Sequence, residues 1–515
     1  MKKLTLPKVF HARCVPLCLL TFAAGVLFVA ADVWWLTMVL YLVAAAAIVT
    51  AMVLTRRRLW VGVACLVCLA LSLSMYAWVD RAASVSVYTG TYDVTGRVAE
   101  VRVDEMGMVY GVVLDDLTVD GTTTAGRMQV TLPTEELFPE ADTPGTDMYV
   151  GTPVTVGRSL SVHGTVSTDY VSWWDSVSVH RLTQGVHYTM HAETCRDTGA
   201  AQRRTASERV RCALYRALQR GMSRPSAGVA FAFLTGDTSY VPADLVDGYR
   251  SSGMAHMMAV SGLHVGVLAG ALVWLLRRLR CPAWGRTVVL TAVLGVYAWL
   301  CGGTPSVLRA SVLLVTGSVA TLLGCHRDKP SMLCFAALVL LLVRPIWLFD
   351  VSFLLSFGAY AGIIMLYDPI RGLLGRQPRV LADALALDFA VTLGIAPLGI
   401  YFFGGLAVLA LPLNLVLIPV MSVMYVVLLL LAPIIAVPAL SVLAVPMDYV
   451  LRAFNYVVWG VGQVGYLSCH ASMWQLPVFY GAVALASPYC LIRPAVRYAA
   501  AGGVAAVLLL VLILG

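Results

Sequence analysis

From Met254 to Leu276 the sequence is almost entirely apolar, and a helix of that length, rising about 1.5 Å per residue, crosses a bilayer core of about 30 Å. Arg277, Arg278 and Arg280 end the run, and the excess of Lys and Arg on cytoplasmic loops places that end inside. Gly262, Gly266 and Gly270 recur every four residues, a small-residue stripe that predicts close approach of another helix. His256, Ser261 and His264 interrupt the same span. A polar side chain there needs a partner or a hydrated cavity. At about 100° per residue His264 lies roughly 160° from the glycine stripe, so one face is expected to pack and the other to meet something polar.

Only 12% of the 515 residues are charged and 59% are hydrophobic, against about 25% charged in a soluble protein. The fold class expected is an all-α polytopic membrane protein of about thirteen spans carrying one small extracytoplasmic β domain. Three spans, near 14–31, 33–54 and 59–79, form an N-terminal anchor (1–79). Its first span lacks a small-residue cleavage site and reads as an anchor rather than a removed leader. Lysines and arginines before the first span and Arg56–Arg58 after the second put the N-terminus in the cytoplasm and residue 80 outside. Further spans are expected near 285–303, 305–324, 330–343, 350–367, 383–403, 447–468, 473–491 and 498–514. The proline-dense stretch 406–446 is expected to be broken into one crossing and a re-entrant piece. The CxxC at Cys65 and Cys68 reads as core packing on an apolar helix.

Residues 80–195 change character. Runs such as 92–103, 110–119, 127–132 and 152–164 alternate as strands do, and Gly, Asp and Thr clusters between them mark turns. Five or so short strands suit a small barrel. Between Asp80 and Met190 there are 15 acids against six arginines, a net of −9, which repels a phosphate backbone and favours structural support or protein docking. The segment 196–252 is basic: seven arginines lie between Arg203 and Arg224, opposed only by Glu208. Val210, Leu214, Ala217 and Leu218 predict an amphipathic helix there, lying on the outer membrane surface, where it meets lipid head groups or DNA phosphates.

The wording FLTGDTSYVPADLVDGYRSSGMAHMMAVSGLHVGVLAG (233–270), followed in order by GGTPSVLRASVLL (302–314), RPIWLFDVSFLLSFGAYAGI (344–363) and APLGIYFFGGLAVLALPLNLVLIPV (396–420), resembles the ComEC family, the DNA-uptake channels of bacterial natural transformation. The resemblance implies an OB-like β domain upstream, a channel domain over 253–515, and single-stranded DNA as cargo. It also implies competence partners: an outer DNA receptor, a cytoplasmic motor and a nuclease. Many members continue into a metallo-β-lactamase-like domain with an HxHxDH cluster, which this sequence lacks, so a channel-only member and a separate nuclease are expected. Asp237 in TGDTS matches the family's Gly-Asp pair, and Leu354 stands where the family usually has glutamine.

No His or Cys cluster has metal-ligand spacing beside an acid, and no GxxxxGK[ST] loop is present. No metal, cofactor or catalytic residue is therefore expected, and the energy source must be a motor or the entering strand. The expected pathway residues are Asp237, His256, Ser261, His264, Arg309, Asp350 and Asp388. Thr304 and Pro305 predict a helix start, which sets Arg309 about one turn inside, beside N–H groups that favour a phosphate. Asp237 reads equally as a turn cap and Asp350 as the N-cap of its span. Two other readings stay open: an intramembrane hydrolase using Ser261 and His264, and a transporter of an anionic lipid or metabolite. The lipid bilayer is a partner in every reading, and an oligomer is allowed.

Overall fold

The computed structural model describes residues 18–24, 63–72, 89–103, 109–124, 126–132, 158–167, 186–201, 205–324, 328–375, 377–407, 410–462, 466–468 and 475–487. The chain divides into two compact units, one of 78–311 and 419–465, the other of 1–77, 312–418 and 466–515.

The first unit begins with the barrel. Its strands are β1 (Gly90–Val103), β2 (Val109–Val119), β3 (Thr122–Thr124), β4 (Arg127–Thr131), β5 (Arg158–Ser167) and β6 (Val186–Ala201). β1, β2 and β4 form an antiparallel meander, β4 pairs parallel with β6, β6 antiparallel with β5, and β5 antiparallel with β1. That closes a five-stranded ring of OB-like order, with β3 hairpinned onto β2. The alternation read from the sequence is what fills it: Val94 and Val98 point inward with Val112, Leu114, Met128 and Val162, all essentially without solvent. Of the strand expected at 152–164, residues 152–157 lie outside the described residues, and the strand described runs from Arg158 to Ser167. β6 was not foreseen, and it carries the barrel to Ala201, past the expected boundary at 195.

Helix α1 (Ala206–Gln219) starts at a capping box: Thr205 Oγ1 accepts the Glu208 N–H at 3.2 Å and Glu208 accepts the Thr205 N–H at 2.9 Å. Its buried stripe is Cys212, Tyr215, Ala217 and Leu218, while Val210 is exposed. The expected stripe is thus rotated, and it packs on protein: Tyr215 stacks on Tyr240, centroids 4.1 Å apart, and meets Phe231 edge-on. α2 (Arg224–Thr235) is buried all round from Ser226 onward, as a helix without a polar face must be. Asp448 accepts from the Ser223 N–H at 3.0 Å and its hydroxyl at 2.7 Å, closing the start of α2. Gly236 closes its end with φ +78°, a conformation that glycine adopts at little cost. α3 (Ala243–Ser251) packs on α12 (Val445–Gly462), with Tyr249 donating to Asn455 Oδ1 at 2.7 Å.

The span expected over 254–276 is not one helix. A single turn, α4 (Ala255–Met258), gives way to extended backbone at Ala259 and Ser261, and α5 (Gly262–Arg278) begins afresh. Hydropathy is continuous across the break; local hydrogen bonding by Ser261 makes it. α6 (Ala283–Leu300) and α7 (Pro305–Leu322) follow.

The second unit holds α8 (Lys329–Val343), α9 (Val351–Leu373), α10 (Arg379–Phe403), the start of α11 (Ala410–Ile435) and α13 (Gln475–Ala486). Short strands β7 (Gly405–Ala407) and β8 (Tyr466–Ser468) pair antiparallel. α9 and α10 are joined by residues 374–378, so they run as a hairpin, and they touch where neither has a side chain. A Cβ on Gly362 would fall on the Ala390 carbonyl oxygen and 2.9 Å from Gly394 Cα, and one on Gly394 would lie 2.7 Å from the Gly358 carbonyl oxygen. This small-residue crossing is the packing device that the sequence reading assigned to Gly262, Gly266 and Gly270. On α5 a Cβ at Gly262 would meet Arg309 and Ala310 of α7 at 2.9 and 3.8 Å, whereas one at Gly266 or Gly270 would meet no atom within 4 Å among the described residues. Cys18 and Cys65 share an apolar cluster.

Among the described residues five helices are long and apolar enough to cross a membrane: α6, α7, α9, α10 and α11. The expected count of about thirteen draws on segments such as 33–54 and 498–514 that lie outside the described residues. The stretch expected to break at its prolines is instead the continuous α11, with Pro419 and Pro433 inside it, followed by a 3₁₀ turn at Pro438–Ala444.

Candidate functional site

The break before α5 gathers several of the residues singled out above. Ser261 is its N-cap: Oγ accepts the Leu263 N–H at 3.2 Å, and the Ser261 N–H donates to His264 Nδ1 at 3.0 Å. This is a capping box with histidine in the third helical position. The two side chains do meet, Ser261 Oγ standing 3.1 Å from His264 Nδ1, but at a helix start rather than on the face of a continuous helix. Because Nδ1 accepts a backbone N–H, the neutral ring carries its proton on Nε2. His264 is only 1% exposed. Its ring sits edge-on to Tyr425, centroids 4.5 Å apart, and Nε2 is buried without a hydrogen-bond partner among the described residues.

Beyond that ring runs a buried polar chain. Tyr425 donates to the Tyr297 hydroxyl at 3.0 Å, and Tyr297 donates to the Leu234 carbonyl at 3.1 Å, in the last turn of α2. One residue further, Gly236 turns the chain so that a Cβ there would lie 3.3 Å from the Val260 N–H nitrogen, which sets the Asp237 loop alongside the break. Asp237 accepts the Ser239 N–H at 3.0 Å, an Asx turn, and binds Arg211 of α1. That ion pair occupies one arginine of the basic segment; Arg209, Arg220 and Arg224 stay exposed.

Arg309 comes to the same place from α7. It is 7% exposed, and its Nη2 would stand 2.9 Å from a Cβ on Gly262, the first residue of α5. A guanidinium and the positive end of a helix dipole thus converge, the arrangement that suits an anion and the reverse of what a helix start alone would attract. His256 lies exposed on α4, its Nδ1 3.1 Å from the Gly253 carbonyl. Asp350 and Asp388 belong to the second unit. Asp350 is the N-cap of α9, accepting the Phe353 N–H at 2.9 Å, and Asp388 is bound to Asn414 at 3.1 Å. No group of three or more His, Cys, Asp and Glu residues fit for a metal occurs among the described residues.

Tyr297, Tyr425 and Asn414 escaped the sequence reading as site residues, and Arg211 was read only as one of the seven arginines of the basic segment. Each is tied to a partner at least 26 residues away, and no local pattern announces them. Ser-x-x-His at 261–264 was the one legible signal, since it has the spacing of an N-terminal capping box.

A barrel of OB-like order in a chain whose described residues include five helices long and apolar enough to cross a membrane defines a membrane protein with an appended β domain. The chain belongs to the competence-protein family of ComEC type: the family's model, described as competence protein, matches residues 233–492. It is similar to ComE operon protein 3 of Bacillus subtilis, 29% identical over 197 residues, 38% of this chain and 24% of that protein. It is also similar to Recombination protein 2 of Haemophilus influenzae, 26% identical over 227 residues, 41% of this chain and 29% of that one. The uncharacterized protein YcaI of Escherichia coli is 27% identical over 253 residues, 47% and 33% of the two chains. The matched part thus spans a quarter to a third of these relatives' own length. No solved structure matches the chain.

Proposed function

We propose that this chain passes single-stranded DNA across the cytoplasmic membrane during natural competence, and that the strand's phosphates are received where Arg309 meets the start of α5. The observation that carries the reading is that convergence, a buried arginine on the N-terminus of a helix broken inside the family's matched segment. The barrel, net negative, serves as an outer docking module, and the arginine-ended loops face the cytoplasm. The energy and the degradation of the second strand come from partner proteins, a motor and a nuclease. The chain itself is a conduit and not an enzyme. Ser261 Oγ does stand 3.1 Å from His264 Nδ1, as a nucleophile and base would, but both atoms also accept backbone N–H groups of the cap, from Leu263 and Ser261, and no carboxylate orients Nε2 among the described residues, as a triad requires.

The test is transformation by a selectable DNA marker in a deletion strain complemented with variants. Arg309→Leu is expected to fall to the level of the deletion while its abundance in the membrane is unchanged. Arg309→Lys keeps the charge and loses the fork, so it should transform at a reduced rate. Ser261→Ala, which removes a cap worth about 1 kcal/mol, should still transform; a deletion-like Ser261→Ala with normal abundance would favour the hydrolase instead. Wild-type transformation by Arg309→Leu would end the phosphate reading.

A further inference from the structure

Asp388 lies nine residues into α10, about 14 Å from the helix start at 1.5 Å per residue, and its partner Asn414 sits in the second turn of α11. Asn414 Nδ2 donates to Asp388 Oδ1 at 3.1 Å. The other carboxylate oxygen, Asp388 Oδ2, and the amide oxygen, Asn414 Oδ1, are buried without a hydrogen-bond partner among the described residues. Both orphans are acceptors when the carboxyl is ionised. An ionised carboxylate with a single amide donor inside apolar helices is among the most costly arrangements available to a protein, and turning the amide over only changes which oxygens are left. One hydrogen removes the whole deficit. A proton on Oδ2 makes the carboxyl a donor, gives Asn414 Oδ1 something to accept, and neutralises the charge.

We infer that Asp388 is held as the neutral acid and that Asp388 with Asn414 forms a proton-binding site between the apolar helices α10 and α11. The surrounding groups leave it to that pair. On its own helix, Asp383 is bound by Arg371 at 2.5 Å and Tyr367 at 3.3 Å, with Arg379 nearby. Of the titratable groups on the packed elements, α9 adds Tyr360 and Asp368, and α13 adds Tyr480, which donates to the Gly394 carbonyl at 2.9 Å. Residues 410–418 of α11 carry no charged side chain. Used in the proposed importer, and resting on that reading for its purpose, such a site would load and release a proton as α10 and α11 rearrange.

The experiment is infrared spectroscopy of the full-length protein, wild type against Asp388→Asn, at neutral pH. The asparagine keeps the shape of the neutral pair, and melting of both samples checks the fold. A carbonyl stretch of a protonated carboxylic acid, shifted in heavy water, is expected in wild type and lost in the variant. Labelling with dicyclohexylcarbodiimide is the second arm. The acid's proton goes to a reagent nitrogen, its oxygen adds to the central carbon, and an acyl shift leaves a stable N-acylurea on Asp388, with less adduct as pH rises. Identical spectra for the two proteins would mean that Asp388 is ionised and would overturn the inference. So would loss of the band on adding sodium, which would make the pair a metal-cation site. Neither arm depends on whether DNA is the cargo, so failure here and failure of the transformation test are separable.

Discussion

Replacing Gly362 with leucine is expected to remove most of the protein from the membrane. The first carbon of any side chain at that position lands on backbone, the Ala390 carbonyl and Gly394 Cα, and backbone cannot rotate aside as a side chain can. The hairpin would have to separate along the face formed by Gly358, Gly362, Ala390 and Gly394, where helices hold together by van der Waals contact alone. Overpacking of a well-filled interior costs about 1–3 kcal/mol when side chains can give, and here they cannot. Immunoblots of membrane fractions, with melting of whatever is recovered in detergent, measure the effect. Gly266→Leu is the control: no described atom stands within 4 Å of its Cβ, so that variant should accumulate normally. Equal amounts of Gly362→Leu and wild type, with equal melting, would refute the crossing.

Arg97→Ala should be nearly as damaging to the first unit. Arg97, on β1, grips Asp115 with two hydrogen bonds of 2.8 and 2.7 Å and reaches Glu208 of α1 at 2.9 and 3.1 Å. All three side chains are largely buried, at 11–17% exposure. Asp115 is the main cause that holds the guanidinium above its ordinary range; burial opposes it, and Glu208 adds to the effect. The charge therefore persists at every working pH. Without it two carboxylates from the barrel and the helix face each other with no cation between them. Removing one member of a buried ion pair costs about 3–5 kcal/mol; with this residual exposure about 3 kcal/mol is expected, and Glu208's cap on α1 is strained as well. Arg97→Lys should lie between, because an ammonium cannot serve both carboxylates in the same fork. The check is thermal melting of the purified full chain, and an Arg97→Ala protein that melts with wild type would show the triad to be ornamental.

How far these features could be read from sequence depends on how far apart their partners are. The barrel's interior was legible because alternation is local: Val94, Gly96 and Val98 are buried in turn. β6 was not, since its 16 residues mix Thr, Glu, Asp and Arg with the inward Tyr188 and Met190. The caps at Asp350 and Ser261 were within reach of spacing arguments, yet hydropathy ran unbroken through 259–261 and hid the second helix start. Two small-residue stripes were present, and periodicity cannot say which one meets a neighbour. The glycines of α5 and those of α9 look alike until the chain is folded. Arg309 was placed correctly near a helix start, but the helix it touches is α5, whose first residue lies 47 positions away from it.

From Ser226 onward helix α2 is buried on every side, and its two ends are fastened by different elements, Asp448 at the first and Tyr297 at the last. Close-packed interiors change by switching between discrete arrangements rather than by yielding smoothly. A helix enclosed on every side can take part in such a switch only if its neighbours leave first. It is the stator of its unit. Any rearrangement of this unit has to begin in what packs against it, the helices α1, α4 and α12. Probes placed on Arg209 or Asp244, both exposed, would report the motion that a probe on α2 would prevent.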